Sequence, residues 1–523
     1  MKKMRFLSAL LAALMILSSL CACGDAGTPG TTPETQASTA GQTEASQETE
    51  TEVTDDLPDD LNYGNDEVVI LSRYREGWTS GEIAVEKTTG EVVNDAVYTR
   101  NKMVEERLQV KIVSLEEPGD SAYIVIDKVA NAVQAGTHEY DILAAACYVT
   151  VNQSLNGIFM DLRQSEYIDF SKPYWSQGYN QVVEYHGAQF AGLSSALISQ
   201  YRFPFVTIFN KDIFDDYKQP YLYDYVDNYT WTLDKQISLV PIFHTDNGNH
   251  VQDEQGDVYG LVTNDYVCTD PYWSSCKVDI LKKDENGDYT FVFDSGKLHN
   301  VAEKLMKLFY DTDDGTYDYK METDNAEQAR IRTMFSEGNA AMATLRILEL
   351  EAYDMRNMKQ EFGVVPMPMY DQAQKEYRTL LHDQFTVFSI PNTIQSNRFE
   401  EMCAVLEAMA SISYQTVRPA YYETNLRTKI AKDPQSAKMF DIIIDNIYID
   451  AGIVYTKALD YFQNPFRELM GTKENTVVSR YKRMRDKTQK AVAEINSKLD
   501  KAIKKWQIGT NRGWHLASPF CLG

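Results

Sequence analysis

"YDILAAACY", Tyr140–Tyr148, is an almost unbroken run of small and branched apolar side chains. A strand with one wet face alternates apolar and polar residues, whereas a strand covered on both faces reads as a continuous apolar run. The stretch therefore predicts a strand inside a sheet, and the residues before it say what kind of sheet. "DEVVILSRY", from Asp66, carries a second β-branched run between Glu67 and Leu71. "NDAVYTRNKMVEERLQ" then places Ala96, Val97, Arg100, Met103, Val104 and Leu108 close to helical spacing, with Asn94 as the expected cap. "VKIVSLE" returns to strand, and "SAYIVIDKVANAVQAGTH" is an amphipathic helix ending near Gly136. The order β-α-β-α-β predicts a parallel sheet with right-handed crossovers. Ligands of such sheets sit outside the carboxyl ends of the strands, at a switch in strand order. That rule selects "SRYREGW" (Ser72–Trp78) and "CYVTVNQ" (Cys147–Gln153), hence Tyr74, Trp78 and Tyr148; the plainer alternative is that these rings cover the end of the sheet.

Downstream, "FPFVTIFNKDIFDDY" (Phe203–Tyr217) is an extended apolar run, and "YDYVDNYTWTLDKQISLV" leads through Trp231 into a helix. "TDNGNHVQDEQGDVYGLV" is a polar loop before a strand, and "FSEGNAAMATLRILEL" (Phe335–Leu350) is expected to enter an apolar helix. "FGVVPMPMYDQAQKEYRTLLHDQFTVFSIP" (Phe362–Pro391) reads as strand, proline-punctuated crossing, turn and strand; from Asp433 the chain is mainly helical, with one long charged helix near its end.

The amino terminus has a different character. Lys2, Lys3 and Arg5 precede an apolar stretch to Leu20, the layout of a secretory signal, and the run is shorter than the roughly 20 apolar residues of a membrane span. Residues 24–65 hold ten acidic residues and no Lys or Arg among Thr, Ser, Gln, Gly and Pro. Such a segment buries too little apolar surface to offset its ordering entropy. It is expected to be a tether with a reach of roughly 35–40 Å. The chain of 523 residues has a net charge of −25, which argues against nucleic acid and anionic lipid surfaces as partners. Its length beyond the tether exceeds one comfortable core and suggests at least two lobes. The cysteines form no CxxC and only seven histidines are present, so a structural zinc site has no ligand set. Cys268 and Cys276 are spaced to close a small disulfide loop or to stay buried thiols, as expected of Cys147, Cys403 and Cys521.

"LCAC", Leu20–Cys23, resembles the bacterial lipobox, with Leu three residues before the modified cysteine and Ala22 directly before it. Cys23 would become the lipidated first residue, and acyl chains that bury ~0.8 kcal/mol per CH₂ would hold the body at a membrane surface. "YDILAAA", "VTIFNKDIF", "YTWTLDK", "DVYGLV", "FSEGNAAMA", "FGVVPMPMYDQAQKEY" and "TKIAKDPQSAKMFD", in this order, resemble the extracellular solute-binding proteins of bacterial ABC importers, the family of the maltose-binding and other sugar-binding lipoproteins. The resemblance implies a two-lobe α/β fold of the type II periplasmic-binding-protein kind. It divides the chain into a signal peptide (1–22), the lipidated Cys23 with its tether (23–65), lobe I (66–203 plus 366–424) and lobe II (204–365 plus 425–523). Hinge crossings are expected at "RFPFVTIF", "VVPMPMY" and near "YYETNLRT".

The implied function is carbohydrate capture for an ABC permease by a monomer anchored at the outer face of the cell membrane through lipid only, with no cofactor. The expected ligand residues are Tyr74, Trp78, Tyr148 and Asp383 in lobe I, and Tyr201, Arg202, Trp273 and Arg346 in lobe II and the crossings. In the maltose-binding relatives the segment matching "ATLRILE" carries an aromatic that stacks on sugar. Here Leu345, Arg346 and Leu348 stand in that place, which leaves Arg346 to meet hydroxyls or a carboxylate on the ligand. Trp175, in "SKPYWSQ", is assigned to lobe structure. The loop from Asp246 lacks the alternating oxygen ligands and twelfth-position Glu of a calcium site, ending instead on Asp257. Other classes remain as alternatives: a binder of peptides or other polar solutes, a sensor-linked binding protein, or an exported glycosidase. A glycosidase requires a pair of carboxylates that no spacing singles out here, and GxSxG and HExxH motifs are absent.

Overall fold

The computed structural model describes residues 53–254, 256–292, 294–319 and 327–509. Cys23, its flanking segment and Cys521 lie outside the described residues. The first sheet is built from β1 (Asp66–Tyr74), β2 (Val110–Pro118) and β3 (Ile142–Ala146), with α1 (Val92–Leu108) and α2 (Tyr123–Ala135) as the crossovers. β1 pairs in parallel with both β2 and β3, as the β-α-β-α-β order requires. α2 ends on Gly136, whose φ of 70° is left-handed and suits a residue without a side chain. The cap of α1 differs from expectation: the Glu91 carboxylate, not Asn94, accepts the Val93 and Asn94 N–H groups at 3.0 and 2.9 Å.

After β3 the chain enters α3 (Cys147–Ser154) and later crosses to a second sheet. That sheet contains β4 (Phe205–Asn210), β5 (Leu261–Asn264), β6 (Thr316–Tyr319), β7 (Met342–Arg346) and β8 (Phe362–Val365), in the order β8-β4-β7-β5-β6. The chain then returns, and β9 (Thr386–Ser389) pairs antiparallel with β3 to complete the first sheet in the order β9-β3-β1-β2. The stretch expected to enter an apolar helix is instead β7, buried along its whole length in the middle of the second sheet. An apolar run covered on both faces carries no period by which helix and strand could be told apart.

Two further expectations are corrected. Residues 53–65 are not tether: Leu57 is buried, Asp55 takes two hydrogen bonds from Arg107 at 2.7 and 2.8 Å, and the Tyr63 N–H donates to the Leu108 carbonyl. The expected return to the first lobe at Pro366 comes later. Pro366 accepts the Trp231 indole N–H, Met369 exchanges backbone hydrogen bonds with Trp231 and Leu233, and Pro368 accepts from Ser275, all elements of the second half. The chain recrosses at Leu381 and His382, which pair with Pro204 and Phe203 of the outward crossing. Of the two states left open for Cys268 and Cys276, the structure has the separate buried thiols, like Cys147 and Cys403. The segment holding "YYETNLRT" is a π-helix from Ala420 to Ile430, a geometry that seldom extends beyond one turn.

Candidate functional site

The carboxyl ends of β1 and β3 meet the loop before β9. The Tyr148 N–H donates to the Asp383 carbonyl at 3.2 Å and the Cys147 N–H to that of Phe385, so α3 starts against the same loop. Beyond β1 the chain turns through Tyr74 and Arg75 to Trp78, whose half-buried indole is the focus of the site. The Arg75 guanidinium carbon lies 3.5 Å from the centroid of that ring, and that of Arg346, at the end of β7 in the second sheet, lies 4.3 Å from it. Such placements are attractive because the face of an aromatic ring is negative. Phe203, from the outward crossing, packs against the same indole at 5.3 Å.

Arg346 is fixed on its other side by Glu349, at 2.6 Å, and its Nη1 donates to Nδ1 of His382 at 3.2 Å. Burial, reinforced by Arg346, Arg467, Arg75 and Arg73, holds the His382 pKa well below its ordinary value, so the ring is neutral and can accept that bond. Burial pushes the neighbouring Asp383 up to about 7, with Asp270 adding to the shift and Arg467, Arg346 and Arg73 opposing it. Arg467, on the helix α4 (Asn464–Thr472), grips the Asp270 carboxylate through Nε and Nη2 and lies over the Tyr266 ring at 4.1 Å. Beside this cluster a cavity of about 540 Å³ opens between the halves. Glu76 and Trp78 line it from the first, Arg332, Glu351 and Arg356 from the second, and Asn425 from the π-helix.

The sequence-selected residues fall in four places. Trp78, Arg346, Tyr148 and Asp383 come together where the halves meet. Tyr201 and Arg202 sit at the crossing: Tyr201 is buried and stacks on Tyr421 at 6.1 Å, and Arg202 presents Nε and Nη2 to Glu351 at 3.3 and 3.2 Å. Tyr74 ends β1 and gives its hydroxyl to Glu76. Trp273 departs from its expected role as a ligand contact: it is fully buried, its indole N–H is committed to Asp270 and its face to Phe466 at 5.8 Å. It braces Asp270 in the core. Trp175 is likewise interior, donating to Glu407 at 2.8 Å.

Sequence reasoning missed Arg73, Arg75, Tyr266, Asp270, His382 and Arg467. Arg73 and Arg75 flank Tyr74 in a loop already selected and were within reach. Arg467 stands in a short helix, NPFRELMGT, in which its spacing marks no inward role, and only the tertiary fold turns it inward.

No family model matches the chain, and no curated protein does. Solved structures do. The galacto-N-biose/lacto-N-biose I-binding protein of an ABC transporter from Bifidobacterium longum, in complex with lacto-N-biose, superposes with a TM-score of 0.56 at 12% identity, covering 84% of this chain and 98% of that one. An ABC transporter solute-binding protein from Thermotoga lettingae bound with α-D-tagatose gives 0.53 at 14%, covering 82% and 100%. A sugar transporter protein from Rhizobium etli in an open conformation gives 0.51 at 13%, covering 83% and 99%. These neighbours carry the type II periplasmic-binding-protein-like fold, and the present chain is built on it, as two α/β lobes joined by crossing segments.

Proposed function

We propose that the protein is the substrate-binding component of an ABC importer and captures a carbohydrate between its two lobes. The observation that carries this is the Trp78 indole, half-buried where the halves meet and flanked by guanidinium groups from both of them. The C–H face of a pyranose is apolar and lies well on an aromatic ring, while its hydroxyl edges need donors and acceptors around that ring. Arg75, Arg346 and Asp383 supply them, and hydrogen bonds to charged groups are the stronger kind. Three structural neighbours that handle sugars support the same reading. Lobe I then comprises the first sheet with its helices and lobe II the second. Cys23 carries the lipid that holds the monomer at the outer face of the cell membrane, and the closed form is what the permease recognises. The neighbours are binding proteins, and the role proposed here is binding without turnover.

The test is a thermal-shift screen of the purified protein against a glycan panel and a peptide panel, followed by calorimetry and product analysis of the hits. One glycan class is expected to raise the melting temperature, bind with unit stoichiometry and be recovered intact. A response to peptides with none to any glycan would overturn the proposal, as would release of shortened sugar.

A further inference from the structure

Three of the guanidinium groups around the cleft share a geometry that Arg73 lacks. Arg202, Arg346 and Arg467 each turn the same edge, Nε together with Nη2, onto a single carboxylate: Arg202 onto Glu351, Arg346 onto Glu349 and Arg467 onto Asp270. Two parallel N–H groups on that edge match the two oxygens of a carboxylate. Arg73, the penultimate residue of β1, holds no carboxylate in this way. Its side chain is 3% exposed and its Nη1 donates to Gln384 at 3.2 Å, yet its Nε and Nη2 meet no acceptor among the described residues. A buried guanidinium lacking its acid is costly, and acids are not scarce in a chain where they outnumber bases 76 to 51. The group also lies where a ligand is expected, at the carboxyl end of β1 beside Gln384 and the Asp383 loop that receives Tyr148.

We infer that the Nε and Nη2 edge of Arg73 receives a carboxylate on the ligand, so the glycan taken by this cleft is an acidic one containing a uronic acid unit. The inference rests on the carbohydrate reading and narrows it. Asp383, the nearest acid of the loop, is compatible with an incoming anion, because its raised pKa leaves it less charged near neutrality than an ordinary aspartate.

Calorimetry of the purified protein against uronic-acid oligosaccharides (oligogalacturonate, alginate, glucuronoxylan and hyaluronan fragments), each beside its carboxyl-reduced neutral counterpart, tests this. At least one acidic member is expected to bind, and its reduced form to bind at least tenfold more weakly. Arg73→Lys keeps the charge and loses the forked edge. It should retain the melting temperature and lose tenfold or more in affinity for the acid, and Arg73→Gln should lose at least as much. Equal binding of acidic and reduced forms, or an acid preference that survives both variants, overturns the inference. So does a sulfated glycan whose affinity survives carboxyl reduction and disappears on desulfation. If neutral glycans alone bind, the carbohydrate reading stands and this one falls; if no glycan of either kind binds, both fall.

Discussion

Tryptophans show what a residue type means only in its setting. Trp78, Trp175 and Trp273 each carry the same indole, but Trp175 and Trp273 spend both ring and N–H inside the protein. Trp78 alone of these three is half-exposed and framed by cations from two lobes. Trp78→Ala is therefore expected to weaken glycan binding at least tenfold, about 1.4 kcal/mol, while shifting the melting temperature less than Trp175→Ala does. Calorimetry and thermal unfolding on the two variants check the contrast, and equal binding by the Trp78 variant would remove the ring from the site. Trp175 also leads to a titration. Its partner Glu407, shared with Tyr174 and facing Asp55, is raised to about 7, chiefly by burial. A carboxyl whose pKa is raised in the folded state is stabilising while neutral, and that contribution is lost as pH climbs from its ordinary value of 4.5 to about 7. The stability advantage of the native protein over Glu407→Gln should accordingly shrink between pH 5 and pH 8, as read from urea midpoints at each pH; a constant difference would contradict the assignment.

Elements were legible in proportion to how far their own pattern determined them. β1, α1, β2, α2 and β3 follow from alternating runs and apolar stripes, and Gly136 marks its helix end by a left-handed turn that any position-blind reading would place there. β7 was not legible as a strand, since it is buried on both faces and continues into an apolar run, and residues 53–65 were not legible as body, because polar composition hid Leu57 and the Asp55–Arg107 pair. The site divides likewise: Trp78 and Tyr148 were found because a topological rule selects their loops, whereas Arg467 and Asp270 come from helices that only the packed fold aims at the cleft. Two substitutions test these element-level statements by chemical denaturation. Leu57→Ala should cost about 2–3 kcal/mol if the segment before β1 is packed, against nearly nothing for a tether residue. Gly363→Ala, in β8, should cost about 2–3 kcal/mol, because a Cβ there would come within 2.3 Å of the Tyr223 hydroxyl and 2.4 Å of the Phe209 ring.

At the scale of the whole molecule, the question is what a bound glycan does to the two lobes. A ligand shifts an equilibrium between open and closed forms only by its difference in affinity for the two, so contacts to one lobe alone would move nothing. Trp78 and Arg73 belong to the first sheet and its loop, Arg346 to the second, and the crossings beside them are tied together by Glu351, which holds both Arg202 and the Tyr421 hydroxyl of the π-helix. A glycan against Trp78 and reaching Arg346, 4.3 Å from that ring in the arrangement described here, touches both lobes at once and so favours that arrangement over one with the lobes apart. Small-angle scattering of the protein should therefore show a smaller radius of gyration at saturating glycan than without it. Arg346→Gln should bind the glycan at least tenfold more weakly and, at saturation, compact less, since the link to the second lobe is what it loses. Full compaction by the Arg346 variant would place the closing contact elsewhere on the second lobe, and an unchanged radius in the native protein at saturation would show that binding and closure are not coupled.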